Sequence, residues 1–195
     1  VDILGFIVEA NSSRRLSVAQ AARLSAPLKS RMKTRVCALT AAVTVDADND
    51  LIADIAGSMD PDIFQLHGSE TPARTRQLKN ALGRILIKAL PVRSASDLLA
   101  VHKYQGAADY ILLDAKPPKN AAQKGGHGTA FDWEILRGFE TSVPLILAGG
   151  LSAESVAQAR QITGLDFFDV SSGVEAAPGV KDAVKIAQFM QAAKG

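Results

Sequence analysis

The sequence predicts an α/β fold, a (β/α)8 TIM barrel in which seven βα units are visible. Three observations predict it. Strand-like apolar runs alternate with helical segments along the whole chain. The runs are continuously apolar, as expected of parallel strands buried on both faces. And nearly every run stops at a polar residue or a glycine: Gln65 and His67, Lys88, Asp114 and Lys116, Gly149 and Gly150, Ser171 to Gly173. An open doubly wound sheet would gather its site near one switch point, often behind a GxGxxG turn. Neither that turn nor a GxxxxGK(S/T) loop occurs here. Functional residues at the ends of many strands are a barrel pattern. The first strand of the eight is expected to be missing or rearranged.

The elements run in order. "DILGFIV" (Asp2–Val8) reads as a strand, and "SVAQAARLSAPL" (Ser17–Leu28) as a helix with Ser17 as its N-cap. Strand "RVCALTAAVTV" (Arg35–Val45) leads to helix "DADNDLIADIAGSM" (Asp46–Met59). Strand "DIFQLHG" (Asp62–Gly68) leads to helix "ETPARTRQLKNAL" (Glu70–Leu82), and strand "RILIKAL" (Arg84–Leu90) to helix "SASDLLAVHKY" (Ser94–Tyr104). "DYILLDAK" (Asp109–Lys116) precedes a long loop and helix "FDWEILRGF" (Phe131–Phe139), with Asp132 near its start. "PLILAGG" (Pro144–Gly150) precedes helix "SAESVAQARQI" (Ser152–Ile162). "DFFDVSS" (Asp166–Ser172) is the last strand, succeeded by a loop with Pro178 and Gly179 and by helix "DAVKIAQFMQAA" (Asp182–Ala193).

Composition narrows the function. The 195 residues suit one domain, 1–195, N-terminally incomplete if the first strand is absent. Apolar residues are 47% and charged residues 22%, with a net charge of +2. Nothing here asks for a nucleic acid or a membrane, and no apolar run nears the ~20 residues that span a bilayer. The single cysteine, Cys37, excludes an internal disulfide and favours a reducing compartment, so the expected location is cytoplasmic. No visible signal peptide contradicts that. No His/Cys/Asp/Glu cluster has zinc spacing, so no metal is expected.

In barrels a phosphate often sits between the loops after strands seven and eight. The last two units supply "LAGGLSAES" and "DVSSGVEAAPGVKD". Gly149 and Gly150 leave the backbone open to an anion, and Ser171, Ser172 and Gly173 add hydroxyl and N–H donors. The alternative is that these glycines only make tight turns.

The motifs together resemble the phosphoribosylanthranilate isomerase family. They are "GF" (Gly5–Phe6), "SSRRLS" (Ser12–Ser17), "VTVDAD" (Val43–Asp48), "QLHGSE" (Gln65–Glu70), "ILIKAL" (Ile85–Leu90), "LLDAK" (Leu112–Lys116), "GGHGTAFDW" (Gly125–Trp133), "LAGGL" (Leu147–Leu151) and "DVSSGVEAAPGVKD" (Asp169–Asp182). The resemblance implies an Amadori rearrangement of N-(5-phosphoribosyl)anthranilate in tryptophan biosynthesis, with no cofactor and no metal. A general acid protonates the ring oxygen and a base removes the C2′ proton. The acid maps onto Asp114, whose structural alternative is an ion pair with Lys116 or Lys88. Arg14 maps onto the arginine that contacts the anthranilate, with Arg15 its neighbour; either is otherwise a solvated loop charge. Gln65 and His67 would bind or support substrate at the mouth. Lys116–Trp133, the longest irregular stretch, would cover substrate. The expected ligand is a small phosphorylated molecule, and the expected assembly a monomer or homodimer.

The family opens with a strand like "KICGLT" that carries a base cysteine. "RVCALT" (Arg35–Thr40) is similar, with Cys37 in the base position, but it stands where the third strand belongs. That leaves three accounts: a missing N-terminal segment with Cys37 a buried bystander, a rearranged chain with Cys37 as base, or a broken barrel edge. Other function classes also stay open: a phosphate-binding barrel without catalysis, or a different phosphosugar barrel enzyme.

Overall fold

A computed structural model describes residues 1–30, 38–115 and 131–195. The chain forms two compact units, Val1–Lys88 with Gly106–Asp109, and Ala89–Gln105 with Tyr110–Gly195. Six strands make one sheet in sequence order: β1 (Ile3–Ile7), β2 (Leu39–Thr44), β3 (Ile63–Leu66), β4 (Ile85–Val92), β5 (Tyr110–Ala115) and β6 (Leu145–Leu147). The first unit holds β1, β2, β3 and the opening half of β4; the second holds the rest of β4, β5 and β6.

In the first unit the pairing is parallel throughout, with Ala42 beside Phe64, Phe64 beside Leu86, and Leu66 beside Lys88. Parallel neighbours need a crossover, and helices supply it: α1 (Val18–Ser30), α2 (Asn49–Asp54) and α3 (Pro72–Leu82). Alternate strand residues Ala42, Phe64, Leu66 and Leu86 form a core with Ala21 of α1, Ile52 of α2, Ile55 and Met59 of the π-helical turn after it, and Leu78 of α3. Burying a side chain such as Phe64 is worth about 1.5–3 kcal/mol.

The helices start where the sequence supplies caps. Ser17 Oγ accepts the Gln20 N–H while Gln20 Oε1 accepts the Ser17 N–H, a capping box. Asp48 caps α2, so that helix begins later than Asp46, whose φ of 49° is left-handed. Thr71 caps α3 with Pro72 in its first turn, and Gly83 ends it at φ 58°.

The second unit departs from the expectation. β5 and β6 pair in parallel, Leu112 beside Ile146. The expected helices at Ser94–Tyr104 and Phe131–Phe139 are short: α4 (Ala95–Leu98) with a 3-10 turn Val101–Tyr104, and a 3-10 turn Trp133–Leu136 that Asp132 caps. Helix α5 (Val156–Thr163) comes after β6. The expected strand Asp166–Ser172 is reduced to one bridge, Phe168 with Leu147. The reason is visible in its burial: Asp166 and Asp169 are exposed and both phenylalanines are only partly buried, so the run is not covered on two faces. A single 3-10 turn, Ser172–Val174, comes next, and then an antiparallel hairpin, β7 (Glu175–Ala177) with β8 (Val180–Lys181). Pro178 and Gly179 form its turn, Gly179 taking φ 82°. Helix α6 (Ala183–Lys194) is capped by Asp182. The described residues therefore show six parallel strands and a hairpin in place of the seven expected strands.

Candidate active site

In the first unit the loops after β2 and β3 are tied to the middle of β4 by one polar network centred on the buried Glu70 and Lys88. Gly68 approaches Asp46 so closely that a β-carbon there would lie 2.6 Å from the Asp46 backbone nitrogen. Asp46 Oδ1 accepts the Ser69 N–H at 2.7 Å and the Ser69 hydroxyl at 2.9 Å. Glu70 accepts from the Asp46 N–H at 2.9 Å and the Gly68 N–H at 3.0 Å. The Lys88 ammonium pairs with Glu70 at 2.9 Å and donates to the carbonyls of Leu66 and Gly68. Lys88 is 1% exposed, and burial pulls its pKa down against the raising effect of Glu70. Lys88 is in phase with Leu86, on the helix-side face, and it pairs there with Glu70.

Gln65 lies between Phe64 and Leu66, so its side chain takes the opposite face of the sheet. It is buried, and its amide meets His67 Nδ1 at 3.2 Å. The His67 backbone N–H donates to the Thr44 carbonyl at 2.7 Å. The structure thus brings Gln65 of β3 and His67, just after it, together. Arg14 lies on the loop after β1, half-buried, its backbone N–H donating to Ser12 Oγ at 3.1 Å. Its neighbour Arg15 is more exposed and is paired with Glu9 at 2.6 Å.

In the second unit Asp114 lies near the end of β5, half-buried after the buried Ile111, Leu112 and Leu113. Gly149 and Gly150 come after β6 at φ 82° and 71°, both left-handed. A β-carbon on Gly149 would clash with the Ala115 nitrogen and lie 2.6 Å from the Ala115 β-carbon, so only glycine permits this approach to β5. A β-carbon on Gly173 would clash with the Leu151 carbonyl oxygen. These contacts bring Gly149–Leu151, the end of β5, and Ser172–Gly173 together. Lys181, at the end of β8, donates to the Ser171 carbonyl at 2.8 Å and to Glu175 at 3.0 Å.

Glu70, Asp46, Glu175 and Lys181 stand in the family motifs, but sequence reasoning gives them no role, because spacing along the chain carries no sign of their pairing. Cys37, Lys116 and the covering stretch 116–130 lie outside the described residues. Among the described residues, no group of three or more His, Cys, Asp or Glu side chains is placed to hold a metal ion.

In each unit small, polar and titratable residues lie near the ends of parallel strands, and these strands with their connecting helices define the class: an α/β protein. The comparisons narrow it. The family model for N-(5'-phosphoribosyl)anthranilate isomerase matches residues 1–192, and the chain belongs to that family. The isomerase of Rhizobium meliloti is 44% identical over 98% of this chain and 86% of its own length. That of Rhodopseudomonas palustris is 45% identical over 99% and 86%. The crystal structure of the phosphoribosyl anthranilate isomerase of Thermotoga maritima superposes with a TM-score of 0.85 at 32% identity, covering 100% of this chain and 88% of that one. Another, of an isomerase in complex with reduced 1-(o-carboxyphenylamino)-1-deoxyribulose 5-phosphate, gives 0.78 at 30%, covering 100% and 88%. These matches do not bear out the expected absence of an opening strand and helix.

Proposed function

We propose that this chain catalyses the isomerisation of N-(5'-phosphoribosyl)anthranilate to 1-(o-carboxyphenylamino)-1-deoxyribulose 5-phosphate in tryptophan biosynthesis. The family match over residues 1–192 carries the reading. The rearrangement is internal: the ring C–O bond breaks, the C2′ proton leaves, and the aminoaldose becomes an aminoketose.

Asp114 is the general acid in this proposal. Its position near the end of β5, beside the glycine turn after β6, supports the role. A single positioned acid contributes about 10²–10⁴ in rate. The substrate phosphate lies against Gly149–Gly150 and Ser171–Gly173. Left-handed backbone at both glycines and the tight seat of Gly173 support it, because side chains are excluded there. Arg14 takes the anthranilate carboxylate, a pairing suited to a guanidinium. Gln65 and His67, held together, orient substrate. Cys37 is the proposed base, acting as thiolate. The finer architecture we propose is the eight-stranded barrel, to which the six parallel strands contribute. The enzyme works in the cytoplasm as a monomer or homodimer, without cofactor.

The test is the loss of phosphoribosylanthranilate fluorescence on adding purified protein. Turnover supports the isomerase. No turnover, with protection of the protein by a product analogue, would show a binding-only barrel.

A further inference from the structure

The hairpin β7–β8 takes no part in the proposed chemistry, yet it ends on the strand-end loop. Ser171 stands at an unusual backbone setting, φ −121° and ψ −79°, immediately before the 3-10 turn Ser172–Val174. The Pro178–Gly179 turn reverses the chain and returns Lys181 to it. There the Lys181 ammonium takes three acceptors: the Ser171 carbonyl at 2.8 Å, the Ser171 hydroxyl at 3.3 Å, and Glu175 at 3.0 Å. Glu175 is buried, its side chain 4% exposed, and Lys181 is half-exposed. Asp182 closes the base of the hairpin by donating its N–H to the Val174 carbonyl at 2.9 Å, and Lys185 donates to the Glu175 carbonyl at 2.7 Å.

A carbonyl held by an ammonium is turned away from any anion on the other side of its peptide. Fixing the Ser171 carbonyl therefore fixes the direction of the next N–H, that of Ser172. The same ammonium brings a positive charge one residue from the proposed phosphate end. From this geometry we infer that Lys181 is a positioning residue for the substrate phosphate, acting through Ser171, with Glu175 holding it in place. The inference rests on the proposed phosphate placement.

Binding of the phosphate end is uniform through the reaction, so its loss appears in KM and not in kcat. Lys181→Met alone would take the Lys181 ammonium from the buried Glu175 carboxylate, so the informative variant is Lys181→Met/Glu175→Gln. The experiment measures KM and kcat for phosphoribosylanthranilate, the competitive inhibition constant of inorganic phosphate, and the melting temperature. The double variant is expected to raise KM and the phosphate inhibition constant about tenfold, as loss of a charge-assisted hydrogen bond does, with kcat within about twofold. Lys181→Arg, which keeps charge and donors, is expected to stay within about threefold of wild type in KM. An unchanged KM in the folded double variant, or a fall in kcat at constant KM, overturns the inference. So does a double variant that melts below the assay temperature, which would assign the pair to fold stability. Gly150→Val separates the two readings. If it leaves both constants unchanged, the phosphate placement itself fails; if it raises both while the double variant does not, only the role of Lys181 fails.

Discussion

Gly149 and Ala115 meet backbone to backbone: a β-carbon on Gly149 would clash with the Ala115 nitrogen. Gly149→Ala therefore meets two penalties, a left-handed φ of 82° and a clash with a hydrogen-bonded strand. The first costs about 1–2 kcal/mol. Together they should lower the melting temperature by about 5–15 °C, taking about 2–4 °C per kcal/mol at this chain length. Because Asp114 is the residue before Ala115, activity should fall more than stability alone explains. A variant with wild-type melting and turnover would show that β5 yields freely.

Asp114→Asn keeps the shape of the side chain and removes the acid proton. Turnover should drop by about 10²–10⁴-fold with little change in KM or melting temperature. Retention of more than about a tenth of wild-type activity would refute the assignment.

Lys88→Met leaves Glu70 buried without its cation. Breaking one side of a buried pair costs about 3–5 kcal/mol, so a chemical denaturation curve should shift by that amount. Lys88→Met/Glu70→Gln, which removes both charges, should recover most of the loss. The pair also sets an alkaline signature. Burial holds the Lys88 pKa below its ordinary value, so between the folded and unfolded pKa values the unfolded chain binds more protons. Stability from this group is thus fully present above the unfolded value, about 10.4, and is lost as pH falls through the folded one. Melting curves should rise with pH below about 10.4 more in wild type than in the double variant. Parallel curves would rule out the depressed pKa.

Thr44 is fully buried at the end of β2, and its hydroxyl has no hydrogen-bond partner among the described residues. Thr44→Val removes that polar atom at constant shape and keeps a β-branched residue in a strand. The variant should be more stable by about 1–3 kcal/mol, since an unsatisfied buried hydroxyl costs that much. A lower melting temperature would mean that the hydroxyl is satisfied in solution.

The sequence carried the alternation of strands and helices because each parallel strand is a continuous apolar run, and the caps Ser17 and Asp132 announce themselves by residue type. It misplaced the last unit because "DFFDV" is apolar enough to read as a buried strand while its aspartates face solvent. The turn Pro178–Gly179 was visible, but a β7 of three residues and a β8 of two are too short to leave a period. In the candidate site, the glycines were legible because their absence of side chain is itself the signal. The pairings Lys88–Glu70 and Lys181–Ser171 were not, because they span 18 and 10 residues and depend on which face each strand presents.

The network of Asp46, Gly68, Ser69, Glu70 and Lys88 has a consequence for the loops it ties. The loops after β2 and β3 and the middle of β4 each take part of their hydrogen bonding from another, so none has a shape of its own to carry elsewhere. Transplanting the loop after β3 from a relative without its partners would deliver a carboxylate to a place with no ammonium or N–H waiting for it. Exchange between relatives should therefore succeed only as a block, Asp46 through Lys88, and chimaeras with a junction inside that block should be the ones that fail to accumulate.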